Sequence, residues 1–321
     1  KGTEYTEKSV CSPFLPKKEA VNMKKSRKKL FAYDNVGILF VLPAFVYMLI
    51  FVGYPIVRNI ILSFQDVTVR TLTKPDKPFA GLQNYIEIFQ DPVFIRSLIN
   101  TLVFTVCCLV FQFIIGFLLA LFFNQNFRTS KVVRGLLLIP WMIPITVTAL
   151  IFKFIFGTDV GILNYALQSL GIIKENIDWL TSTNTAMFAL ICANVWIGIP
   201  FNMILISTGL TTIPTELYES AALDGAGKIQ TFFRITLPLL RPTIESVLIL
   251  GFIYTFKVYD LVYVMTSGGP VNSTHMLSTY SYKLSFELFR YSDGAAVANV
   301  LLVILLIVGV FYLRATKEEN E

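Results

Sequence analysis

An all-α polytopic membrane fold with six transmembrane helices is what this sequence predicts, and three observations predict it. Of the 321 residues, 55% are hydrophobic and only 15% charged, with a mean hydropathy of +0.64; soluble domains carry about 25% charged residues. Six windows, 37–64, 98–123, 135–156, 185–210, 243–265 and 294–313, reach the roughly 20 apolar residues a helix needs to cross a hydrocarbon core. These windows are apolar on every face instead of alternating with period two, which excludes a closed β-barrel. The connections are too short and too polar to form a separate core. One integral membrane domain is therefore expected, although the length alone would suit two soluble ones.

Residues 1–36 form a basic tail, with Lys17, Lys18, Lys24, Lys25, Arg27, Lys28 and Lys29 ahead of the first window. The loop after the second window adds Arg128, Lys131 and Arg134 without an acid, whereas residues 157–184 set Lys174 against Asp159, Glu175 and Asp178. Cytoplasmic loops carry the excess of lysine and arginine. Both termini, including the tail 315–321, and the loop around Glu219 are thus expected inside, with 157–184 outside. The first window, 37–64, exceeds the apolar stretch of a signal peptide and no A-x-A site follows it, so a retained first helix is expected. A basic flank beside a span is read as a topology signal or anionic-lipid contact in preference to nucleic-acid binding.

The second element, 65–97, is an external loop punctuated by Pro75, Pro78, Gly81, Asp91 and Pro92. Within it Leu82, Tyr85, Ile86 and Phe89 fall at helical intervals, which predicts a short helix in the membrane interface. Residues 98–314 hold the other five spans. Pro43 and Pro55 in the first window and Pro140 and Pro144 in the third remove backbone donors and predict kinks, which either shape packing or mark a moving wall. Lys153, Glu245, Lys257 and Asp260 lie in or at the ends of windows; Lys257 and Asp260 are one turn apart and suit a neutralising pair. Lys153 is expected to reach outward along its stem.

The titratable inventory argues against catalysis and metal binding. Cys11 lies in the tail, and Cys107, Cys108 and Cys192 lie inside windows with no C-x-x-C spacing. His275 is the only histidine. A histidine zinc site or a Ser-His-Asp triad thus has no supporting constellation, so no catalytic residue, metal or cofactor is assigned to this chain.

The segment 212–241 is the polar interruption of the core. Thr212 is the expected cap of a helix with Pro214 at its first position and Glu216 in its first turn, running to about Asp224. Gly225 supplies the positive φ of a helix end, and Lys228 to Thr236 predict a second helix stopped by Pro238. Leu217, Ala221 and Leu223 are expected to form an apolar patch beside Glu219 and Asp224, and the small pair Ala221-Ala222 to admit a close neighbour. The Gly227-Lys228 pair does not complete a phosphate-binding loop, because Ala222 stands where the first glycine belongs and Ile229 where the hydroxyl belongs. The segment occurs once and the chain has no internal repeat. Six spans with one such loop read as half of a pore, an obligate oligomer.

Glu219, Ala221, Gly225, Ile235, Leu237 and Pro238 follow the spacing E-x-A-x3-G-x9-I-x-L-P, which resembles the cytoplasmic loop of ABC importer permeases. Gly81-Leu-Gln-Asn-Tyr, Asp91-Pro-Val-Phe, Asn100-Thr101, Ile139-Pro-Trp-Met-Ile-Pro144, Gly161-Ile-Leu-Asn164, Trp196-Ile-Gly-Ile-Pro-Phe201 and Thr266-Ser-Gly-Gly-Pro270 are similar to the branch that imports sugars and polyols. The resemblance covers residues 36 to 314 and implies a type I, MetI-like permease core in a prokaryotic cytoplasmic membrane. It further implies a second permease subunit, with a heterodimer expected, and two ATPase subunits that carry the ATP and magnesium. An extracellular solute-binding protein would deliver a sugar, expected to be an oligosaccharide, with a polyol or glycerol phosphate as the alternative cargo and a proton-coupled secondary transporter as the rival mechanism.

By the same resemblance, Glu219, Ala221, Ala222, Asp224, Gly225, Ile235, Leu237 and Pro238 dock the ATPase. Asn194, Ile197, Gly198 and Phe201 form one wall of a midmembrane path, and Gly251, Thr255 and Val258 the other, each set at helical intervals. The maltose-type pattern has amides where this chain has Thr255 and Val258. An aromatic face, small residues and a few hydrogen-bonding groups suit a sugar ring. The plainer reading of the same residues is helix packing for Gly198 and Gly251, and lipid contact for Phe201.

Overall fold

The computed structural model describes residues 40–74, 76–125 and 129–318. The basic tail, Cys11, Pro75 and Arg128 lie outside them. The chain divides into two units, 1–57 and 58–321. Helix α1 (Phe40–Ser63) begins in the first, where the stretch Leu49–Gly53 is a π-turn. Its i→i+5 bond from Tyr54 N to Leu49 O sits directly before Pro55, which has no N–H to offer a regular ladder.

In the second unit, the end of α1 is joined by α2 (Gln83–Gln90) and by α14 (Tyr291–Glu318) through side-chain amides and hydroxyls. Asn59 Nδ2 donates to Asn299 Oδ1 at 2.8 Å, Asn299 Nδ2 donates to Ser63 Oγ at 2.9 Å, and Asn84 Nδ2 donates to the carbonyls of Ser63 and Gln65. The short helix expected in this loop is present. It turns Asn84 and Ile88 inward and leaves Leu82, Ile86 and Phe89 exposed. Carbonyls at the end of α1 lack helical partners, and an amide satisfies them where an apolar stripe would not.

Helix α3 (Pro92–Asn124) starts on Asp91, whose Oδ1 accepts from Val93 N at 2.8 Å. It runs parallel to α8 (Ala186–Thr211): Gln112 meets Asn194, and Gly116 meets Asn202, where a Cβ would lie 2.6 Å from the Asn202 Cβ. Helix α11 (Arg241–Phe256) runs antiparallel to both, with Thr243 against Gly209 and Gly251 against Leu109. Buried apolar residues fall into three groups along this bundle, centred on Phe104 and Leu190, on Met203 and Leu240, and on Phe94 and Phe256.

Two expected spans are broken. After α4 (Ser130–Leu136) and α5 (Ile139–Met142), the chain bends by 94° before α6 (Ile145–Ile155). Ile143 is extended, with ψ 134°, because Pro144 disfavours the helical conformation of the residue before it. The window 243–265 is not one helix either. Helix α11 ends at Phe256, three residues intervene, and α12 (Asp260–Thr266) follows; the carbonyl of Val258 at the break accepts the Ser278 hydroxyl. Among the described residues, α1, α3, α8 and α14 are each long and apolar enough to cross a membrane, and the bent pairs Val132–Met142 with Ile145–Ile155 and Lys228–Leu239 with Arg241–Phe256 make up to six.

Candidate functional site

A cavity of about 310 Å3 opens between α8, α11 and the break at 257–259. Asn194, Ile197, Gly198 and Phe201 from α8 line it, together with Gly251 and Thr255 from α11 and Val258 from the break. All seven residues expected on the path thus meet at one space, although Gly251 and Thr255 are buried in its wall.

Gly198 has a steric reason to be glycine. A Cβ there would lie 2.2 Å from Gln112 Cδ, and Gln112 donates through Nε2 to the Asn194 carbonyl at 2.9 Å. Gln112 is 4% exposed and itself lines the cavity. It was not singled out in the sequence, although it is the one amide within the apolar run 101–123.

Three aromatic rings make up one wall. Phe201 lies 6.1 Å from Trp141 and 5.9 Å, edge-on, from Tyr254. Trp141 reaches the cavity because the bend at Pro144 turns α5 toward α8. Sequence periodicity does not reveal this, since the break lies between two helices. Tyr254, one residue before Thr255, was likewise missed.

A second site lies where α3 and α8 end. Helix α9 (Thr215–Leu223) is followed by Gly225 at φ +76°, with open space around its Cα, and by α10 (Lys228–Leu239). The Gly225 expectation holds, while three local details differ. Thr212 caps nothing in α9: its hydroxyl donates to the Gly209 carbonyl at 2.8 Å, closing α8, and Pro214 occupies the start. Pro238 does not stop α10, because the π-turn Phe232–Thr236 shifts the ladder before it, as it does before Pro55. Ala221 is 8% exposed and so leaves the patch expected on α9. It follows Tyr218 by three residues, hence shares its inward face, and Tyr218 packs on the Met203 and Leu240 group.

What remains outward is Glu219, Ala222, Asp224, Gly225 and Pro238, with Leu223 at 89% and Ile229 at 77% exposure flanking the turn. Ile235 and Leu237 are half-buried. A groove of about 350 Å3 runs beside them, lined by Tyr218, Ala222, Ala226, Lys228 and Phe232.

The opposite end explains two further motifs. Asn100 Nδ2 donates to the carbonyls of Ser273 and His275, and Thr101 Oγ1 accepts from Leu277 N. Thr274 Oγ1 donates to Gly269 O, and Gly268, at φ +81°, lies flat on the His275 ring, where a Cβ would come within 2.1 Å. The Asn-Thr and Ser-Gly-Gly-Pro stretches therefore clamp one loop. Burial and then the Lys283 ammonium, 3.4 Å from Nε2, hold the His275 pKa down at about 4. The suggested pair of Lys257 and Asp260 is not an ion pair: among the described residues, ion pairs join Arg241 to Glu245 and Arg290 to Asp293.

The sequence profile of the binding-protein-dependent transport system inner membrane component matches residues 112–316. A probable ABC transporter permease protein, YurN, of Bacillus subtilis (strain 168) is 36% identical over 286 residues, 88% of this chain and 96% of the relative. The trehalose/maltose transport system permease protein MalF of Thermococcus litoralis is 34% identical over 281 residues, 87% and 93% respectively. A crystal structure of a bacterial ABC transporter involved in the import of the acidic polysaccharide alginate contains a chain that superposes with a TM-score of 0.77 at 25% identity, covering 92% of this chain and all of that one.

Proposed function

This chain belongs to the family of inner membrane components of binding-protein-dependent transport systems, and from that premise we propose that it is one permease half of an ATP-driven sugar importer. The observation that carries the reading is the convergence of Asn194, Ile197, Gly198, Phe201, Gly251, Thr255 and Val258 on one cavity with a wall of three aromatic rings. Aromatic faces stack on the C–H surface of a sugar, and the Asn194 and Gln112 amides are of the kind that satisfy hydroxyls. A relative is named for trehalose and maltose and a structural neighbour for alginate. Together they support a sugar and leave its charge open.

The outward face around Glu219, Ala222, Asp224 and Gly225 is the contact for a separate ATPase subunit, with Ile235, Leu237 and Pro238 holding the second helix, α10, in place. ATP and magnesium belong to that partner, and this chain binds neither. A second permease subunit completes the pore, an external binding protein delivers the cargo, and both termini lie in the cytoplasm.

The test uses the assembled complex of both permeases, ATPase and binding protein. Gly225→Val and Glu219→Lys are expected to leave the chain in the membrane and abolish ATP hydrolysis stimulated by the loaded binding protein. Phe201→Ala is expected to weaken uptake at least ten-fold with the ATPase still attached. Normal coupling in both loop variants would refute the docking role, and uptake driven by a proton gradient without the ATPase would refute the importer class.

A further inference from the structure

Two charged side chains in the cavity wall are used by neither the packing nor the reading above. Lys257 and Asp260 both line the cavity and both are exposed to it. They flank the break between α11 and α12, on the aromatic side: the Lys257 ammonium lies 5.3 Å from the centre of the Tyr254 ring, which is itself edge-on to Phe201. Neither belongs to an ion pair among the described residues. An ionisable group at membrane depth is costly, and it persists where it faces a partner or a wet cavity that uses it. Two such groups, left apart at a helix break beside a three-ring wall, fit a ligand better than they fit packing.

We propose that Lys257 and Asp260 are direct cargo ligands and that they select an uncharged sugar against an acidic one. A carboxylate accepts two hydroxyl hydrogens and an ammonium donates three, so together they match neighbouring hydroxyls on one ring whose face lies on Phe201 and whose rim meets Tyr254. The two charges cancel. Because they cancel, a sugar carboxylate gains no net attraction there: the repulsion it meets at Asp260 offsets what Lys257 offers, and part of its own hydration is lost. This inference rests on the sugar reading of the cavity and adds the charge class of the cargo, which the relatives leave open.

Trp141, 6.1 Å from Phe201, reports occupancy without any need for the binding protein. The purified complete complex is titrated with maltose and with digalacturonate up to about 100 mM, the Trp141 signal being isolated by subtracting a Trp141→Phe complex. Maltose is expected to change the signal saturably and digalacturonate to bind at least five-fold more weakly. Asp260→Asn should narrow that preference to less than two-fold while weakening maltose, and Lys257→Gln should weaken maltose at least three-fold. Stronger binding of digalacturonate by the unmodified complex, or maltose curves unchanged in both variants, would overturn the proposal and leave the sugar cavity standing. A signal indifferent to both sugars would remove the sugar cavity itself, and the proposal with it.

Discussion

The cavity and the α9–α10 loop use glycine for opposite reasons. At the cavity, Gly198 and Gly251 are where another helix needs room: an added Cβ would lie 2.2 Å from Gln112 Cδ and 2.8 Å from Leu109 Cδ2. In the loop, Gly225 has nothing within 4 Å and is required by its φ of +76°. One region is held by close packing, in which a small volume error propagates. The other is held by its backbone and offers its side chains to something else. A part that must fit a ligand sits inside a rigid frame, and a part that must be gripped projects from it.

Substitutions can break or sharpen this contrast. The largest effect is expected at Gly198→Leu, where overpacking forces Gln112 out of its bond to Asn194 and costs about 3 kcal/mol or more. It should be read as a lower melting temperature of the purified chain, partly restored by Gln112→Ala. Next comes the clamped loop at the far end. Unfolded His275 takes a proton below pH 6.5, whereas in the fold it does so only near pH 4. Its stabilisation is therefore complete above pH 6.5 and lost as the pH falls toward 4, up to about 3 kcal/mol. Melting curves of His275→Gln should lack that part of the pH dependence and of the acid loss.

Gly225→Val follows, with about 1–2 kcal/mol of left-handed strain confined to the turn. The melting temperature should move little while coupled ATP hydrolysis disappears. A large melting shift here would place the loop with the packed regions and end the contrast. Glu219→Lys is the smallest in stability, within about 0.5 kcal/mol as for an exposed site. Any loss it causes should be seen only in ATPase coupling.

Much of this was legible because it depends on local rules. Helix existence followed from apolar length and Gly225 from its position at a helix end, while the seven cavity residues followed from the resemblance to importer permeases. What failed was continuity. The two-residue break at Ile143-Pro144, where the proline had predicted a kink, and the three-residue break at 257–259 sit inside windows whose mean hydropathy is that of a span, so hydropathy cannot detect them. Direction also failed on α9, where Ala221 was expected in an outward patch and faces inward. Apolar residues face inward only relative to a neighbour, and on α9 that neighbour is the Met203 and Leu240 group on which Tyr218 packs.

The sequence by itself determined the class of molecule, a helical membrane protein whose core is interrupted by a polar loop, because composition, apolar length and motif spacing are properties of the chain. Only the tertiary structure decided which residues share the cavity. Gln112, Trp141, Tyr254, Lys257 and Asp260 come from four helices and a break. Their meeting depends on helix register and on the 94° bend, which are set by packing between segments distant in the chain.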